Sequence, residues 1–296
     1  MIAVACHDAG GAELVSSLVG RQRIPVRAAL GGPALRVFAR KLPGVVPLAL
    51  DEALVGASRL ICGTSWPATL ECDAIAAARR AGIPSVAMLD HWVNYRRRFE
   101  RDGVFHFPDA IWVGDDAAES LARCELPEVS ILRIENPYRL DIIEEVAAMA
   151  GPPHDGVTIL YVTEPTAEAA QRLHGDPRYF GYTEDEALRG FLEWAVTWPD
   201  VQSIVIRAHP SEPPDKYAWA CLDPRVRFDA TSPLVSQLAR ADVVVGCNSM
   251  AMVVATWVGK RVVCAIPEGG RGFALPSAGM EFMSVIDRPI AERESA

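Results

Sequence analysis

Short apolar runs alternate with amphipathic segments along the chain, which is how βα units stacked into a parallel sheet appear in sequence. In the first half, runs at residues 2–6, 26–30, 59–63, 83–89, 110–114 and 129–134 read as buried strands, with a weaker one at 45–48. Helical spacing fills the intervals at 12–19, 33–41, 69–81, 116–123 and 140–150, and Gly82 stops the third of these helices. The second half repeats the theme, with strands at 158–162, 203–207, 243–246 and 261–265 and helices at 184–197, 233–239 and 249–258. Between the halves, Gly151-Pro152-Pro153-His154-Asp155-Gly156 continues neither a helix nor a strand. The expected domains are therefore 1–150 and 151–296, each a Rossmann-like, doubly wound α/β sheet. Ligands of such sheets bind outside the carboxyl ends of the strands, so the site is expected in a cleft between two lobes.

Composition narrows the partners. Half of the 296 residues are hydrophobic and 23% are charged, the balance of an ordinary folded protein. A net charge of −9 disfavours nucleic acid and leaves small ligands as the better expectation. The seven cysteines stand singly, with no CxxC pair to suggest a disulfide framework or a zinc site. Cys6, Cys62, Cys247 and Cys264 lie in or beside apolar runs and read as packing. The chain opens on a strand rather than a leader, and no apolar run is long enough to cross a membrane, so the expected location is the cytoplasm.

The candidate chemistry lies where strands stop. His7-Asp8-Ala9-Gly10-Gly11 follows the first strand, and Gly10 and Gly11 would let backbone N–H groups approach a phosphate at a helix start. Asp8 reads either as a base or as a helix N-cap. The segment is neither GxGxxG nor a Walker loop, which removes dehydrogenase and kinase readings. Thr64-Ser65-Trp66-Pro67 and Asp90-His91-Trp92 end two further strands, and His91 is a second candidate acid or base beside the structural role of most lone histidines. Arg96, Arg97, Arg98 and Arg101 form a dense basic run that reads either as a solvated face or as a contact for acidic headgroups. In the second half, Arg207-Ala208-His209-Pro210 places two cations at a strand end, a pair suited to phosphate if Arg207 faces the cleft. Cys247-Asn248-Ser249-Met250 opens a helix where Asn248 or Ser249 caps and free N–H groups hold an anion. Thr163-Glu164-Pro165-Thr166 is a polar turn at the same edge.

These residues resemble the two-lobed GT-B glycosyltransferase superfamily, and more finely its HP-motif enzymes: bacterial sialyltransferases, Kdo transferases and polyglycerol-phosphate polymerases. His209-Pro210 and Asn248-Ser249 stand where that group holds a nucleotide phosphate, and Glu135-Asn136-Pro137-Tyr138-Arg139-Leu140-Asp141 is similar to a segment closing the first lobe of many GT-B proteins and of UDP-sugar 2-epimerases. The resemblance implies a metal-independent glycosyltransferase of polysaccharide biosynthesis that needs no cofactor. Its donor would be a CMP- or UDP-sugar and its acceptor a surface glycan or small molecule. Phosphate would fall to Arg207, His209, Asn248, Ser249 and Met250, and acceptor deprotonation to Asp8, then His7 or His91. A 2-epimerase or nucleotide-sugar hydrolase, and a non-catalytic nucleotide-binding protein, are the alternatives.

Overall fold

The computed structural model describes residues 1–66, 68–149, 151, 155–213, 215–271, 275–276 and 278–283; residues 152–154 of the predicted linker, and Pro67, lie outside them. The chain divides into two units, Met1–Asp141 and Ile142–Ala296.

In the first unit the order is β1 (Ile2–Cys6), α1 (Ala9–Gln22), β2 (Val26–Leu30), α2 (Ala34–Lys41), α3 (Leu50–Leu54), β3 (Arg59–Cys62), α4 (Leu70–Arg80) and β4 (Ser85–Met88). A small hairpin, β5 (Glu100–Arg101) and β6 (Val104–Phe105), precedes β7 (Ala110–Val113), α5 (Asp116–Glu125) and β8 (Ser130–Arg133), and α6 (Pro137–Ala148) spans the boundary between the units. Six strands form one parallel sheet in the order β2-β1-β3-β4-β7-β8. Alternate residues of each strand serve opposite faces. Ala3, Ala5, Leu60 and Cys62 pack with Ala74, Ile75 and Ala78 of α4, whereas Val4, Cys6 and Ile61 pack with Val15 and Leu18 of α1 and Phe38 of α2. The weak strand expected at 45–48 is reduced to a single bridge, Ala28 to Pro47, because proline has no N–H to extend a ladder. Asn136 starts α6, its side-chain oxygen accepting from the Arg139 N–H at 3.0 Å.

The second unit contains β9 (Val157–Val162), α7 (Thr166–His174), α8 (Glu184–Ala195), β10 (Val201–Arg207), β11 (Val226–Phe228), α9 (Leu234–Arg240), β12 (Val243–Gly246), α10 (Met250–Trp257), β13 (Arg261–Cys264) and β14 (Met280–Phe282). Its six strands are again all parallel, in the order β11-β10-β9-β12-β13-β14. Ile159, Tyr161, Ile204, Ile206, Val243 and Val245 bury one face under Leu188 and Phe191 of α8. Thr183 and Glu186 cap α8 reciprocally, each side chain accepting from the other residue's backbone N–H.

Candidate active site

The second sheet reverses direction at β9: the chain moves outward through β10 to β11, then returns to the other side of β9 as β12. A parallel sheet opens a crevice at such a reversal, beyond the carboxyl ends of the strands. Thr163 and Glu164 follow β9, His209 follows β10, and Asn248 and Ser249 follow β12. Buried Ser249 is the N-cap of α10, its hydroxyl accepting from the Ala251 N–H at 3.3 Å, and Met250 is the first helical residue.

The tautomer of His209 follows from its neighbours. The backbone N–H of Ser211 can only donate, and it meets His209 Nδ1 at 3.3 Å, with the Ser211 hydroxyl 2.8 Å from the same nitrogen. The lone pair of Nδ1 is therefore engaged and the neutral ring carries its hydrogen on Nε2. That nitrogen stands 3.9 Å from Glu164 Oε2. Burial lowers the imidazole pKa against the charges of Glu212 and Glu168, so the neutral form prevails near pH 7.

Glu212 holds the turn that carries this ring. The carboxylate accepts from the His209 N–H at 2.9 Å, from Lys216 Nζ at 2.8 Å, and from the hydroxyls of Thr163 and Tyr217. Burial raises its pKa, yet these donors outweigh burial and hold it below the ordinary carboxylate range. Glu164 differs: burial pushes it up to about 7, with a hydrogen bond from Ser249 opposing and the Glu212 charge adding. Neither glutamate carries a periodic signal. Glu164 was legible only as part of a polar turn, and Glu212 was missed, the one signal for it being its place three residues past His209.

Arg207 does not join this group. Its Nη1 donates to the Ser232 carbonyl at 2.6 Å and to Gln237 Oε1 at 2.7 Å, which commits the guanidinium to the loop before α9 and to α9 itself. Asn248 is half-buried next to Ser249.

The first sheet reverses between β1 and β3, and a second polar cluster lies there. Gly10 and Gly11 are closely packed, which the absence of a Cβ permits. A Cβ on Gly11 would stand 2.9 Å from the Gly63 Cα, and one on Gly10 would stand 1.9 Å from Asp90 Oδ2, so a carboxylate of the chain already fills the space against Gly10. Asp90 Oδ1 accepts from Arg98 Nη1 at 2.8 Å, and the same nitrogen donates to Thr64 Oγ1 at 2.9 Å. Asp8 is the N-cap of α1 by position but makes no side-chain cap; its carboxylate accepts from His7 Nδ1 at 2.9 Å. The His7 backbone N–H donates to Glu71 Oε1 at 2.7 Å. Glu71 is only 3% exposed, its Oε2 has no hydrogen-bond partner, and burial pushes its pKa up to about 7 despite the His7 N–H. Glu71 shares a helical stripe with Ile75 and Ala78, so a carboxylate on an apolar face was the signal that could have found it. His91 Nδ1 accepts from the Trp92 N–H at 3.0 Å, and burial lowers its pKa, opposed by Asp90 and aided by Arg98.

The arginine run is not a bank of free cations. Arg98 is buried on Asp90, Arg101 pairs with Asp73, and Arg96 pairs with Glu128 at 2.7 Å while lying 4.7 Å above the Phe105 ring. Arg97 is exposed, 5.6 Å above Trp66. Among the described residues, no helix is long and apolar enough to cross a membrane, and no group of three or more His, Cys, Asp or Glu side chains suits a metal ion.

No family model and no curated protein matches the sequence. Solved structures match along most of the chain. A UDP-GlcNAc 2-epimerase from Neisseria meningitidis, bound to UDP-GlcNAc, is 12% identical and superposes with a TM-score of 0.59 over 91% of this chain and 83% of its own. The UDP-GlcNAc 2-epimerase from Methanocaldococcus jannaschii is 10% identical, with a TM-score of 0.60 over 89% and 83%. The wall teichoic acid polymerase TagF is 10% identical, with a TM-score of 0.50 over 88% and 70%.

Proposed function

We propose that this chain, whose two parallel-sheet units are those of the GT-B fold, is a nucleotide-sugar enzyme that transfers a sugar from a CMP- or UDP-type donor to a glycan or small-molecule acceptor. The observation that carries the reading is the hydrogen on His209 Nε2, assigned there from its Ser211 contacts and linked through Glu164 to the capped start of α10. A neutral imidazole donor and a helix N-terminus together suit a phosphate that gains negative charge. In the reaction, the bond from the anomeric carbon to the donor phosphate oxygen breaks with its electrons on that oxygen. The acceptor oxygen forms the new bond, and its proton passes to a base. His209 and the α10 start stabilise the departing phosphate, with Ser249 placing the helix start. Asp8, paired with His7, is assigned as base; His91 and the Arg98-held Asp90 are the rivals on the same unit. Support comes also from the ligand of the meningococcal epimerase, a nucleotide sugar, and from the polymerase sharing the fold.

Calorimetry with CMP, CDP and UDP tests the assignment. His209→Ala is expected to weaken binding by about 10- to 100-fold, the range for losing a hydrogen bond to a charged group; unchanged affinity would remove His209 from the phosphate site. A second reading, epimerisation or hydrolysis of the same donor, is favoured by the greater overlap with the two epimerases. Product formed from donor alone would select it. Nucleotide binding with no turnover across donors and acceptors would select a binding protein instead.

A further inference from the structure

The turn after β9 brings a carboxyl group into the space the phosphate reading needs. Glu164 Oε2 lies 3.9 Å from His209 Nε2, and the Ser249 hydroxyl acts on the same carboxyl, opposing the rise in its pKa. A phosphate oxygen accepting from Nε2–H would therefore lie close to Glu164, and two anionic oxygens at that range repel. Among the described residues, several ionisable groups near Glu164 have commitments of their own. On the turn after β10, His209 is neutral and Glu212 is the acceptor for Lys216, Tyr217 and Thr163. Lys216 is shared between Glu212 and Glu184 of α8. On α7, Glu168 bears on His209, and beyond β12 the Cys247 thiol feels Glu164 as a charge that disfavours its ionisation. No cation is directed at Glu164 itself among these groups.

We propose that Glu164 enters the phosphate site as a neutral carboxylic acid, so that it donates its O–H to a bound phosphate oxygen and nucleotide binding takes up a proton. This rests on the phosphate reading of His209 and Ser249 above. Burial already places the free carboxyl near half-protonation at neutral pH, so little is needed to complete the change. Above that point, each further pH unit costs affinity approaching tenfold, because one proton must come with the ligand.

Titration calorimetry tests this with UDP, CDP, CMP and inorganic pyrophosphate, from about pH 6 to about pH 8.5, in two buffers of different ionisation enthalpy. The wild type is compared with Glu164→Gln, whose amide is neutral at every pH. Comparing the two proteins with one ligand cancels the ionisation of the ligand and of His209. The expected result is uptake approaching one proton by the wild type at about pH 8, lost in Glu164→Gln, with the variant binding at least as tightly at that pH. Equal uptake in both proteins, or a variant weaker at every pH, overturns the role of Glu164. Should the variant fail to fold, binding by the wild type without proton uptake at about pH 8 overturns it equally. If the wild type binds none of the four probes at any pH, the nucleotide reading itself fails, an outcome distinct from binding without uptake.

Discussion

At the residue scale, the decisive quantities are the protonation states of buried Glu71 and half-buried Glu164. Glu71 has a folded pKa near 7 against an ordinary 4.5, so the folded state holds a proton that the unfolded chain releases between those values. The protein is therefore expected to lose stability as pH rises from about 4.5 to about 7, by on the order of 3 kcal/mol from this group, and to level off above. Glu71→Gln should flatten that slope in urea titrations; an unchanged slope would mean that Glu71 is ionised in the folded protein. Asp8→Asn is expected to lower turnover by about 100- to 10,000-fold with nucleotide affinity retained, the range for removing a general base. Near-normal turnover in that variant, with loss in Asp90→Asn, would transfer the base to Asp90. His209 and Ser249 were legible in sequence because each stands where an apolar run ends and a helix or a proline begins. Arg207 stands at a similar end, yet no sequence rule says which way its guanidinium turns, and Ser232 and Gln237 took it.

Between elements, one tight constraint is the passage of the start of α1 over the residue that follows β3. Gly11 and Gly63 touch through their backbones, each lacking the Cβ that would stand 2.9 Å from the other's Cα. Gly11→Ala must lift the helix from the sheet, and the overpacking is expected to cost about 1–3 kcal/mol, read as a lower urea midpoint. The long apolar strands were plain in sequence because their two-sided burial leaves a continuous run. α7, β11 and β14 were not. α7 is half exposed and follows Pro165 directly, β11 has three residues with Arg227 at its centre, and β14 lies in a stretch rich in glycine and proline. These elements take their form from the sheet beside them rather than from their own pattern.

On the scale of the whole molecule, each sheet closes its own hydrophobic core, and the two are built from separate stretches of chain. Thermal unfolding is therefore expected in two steps rather than one. Nucleotide at 100 times its dissociation constant should stabilise the unit carrying His209 by about 2.7 kcal/mol and leave the other step in place. A shift of both steps by equal amounts would argue for a single cooperative body. The doubly wound character of both halves could be read from alternation alone, but the strand orders could not, since they depend on where each crossover lands.

In the second sheet, His209, Glu164 and Ser249 are delivered by three adjacent strands, β10, β9 and β12. Neighbouring strands keep a pitch of about 4.8 Å set by the peptide ladder. The ladder thus serves as a ruler for where the three turns leave the sheet, and under the proposed reading the length of anion that fits would follow from it. On that reading, variation among loops would alter what is attached to the anion while its measure stays the same.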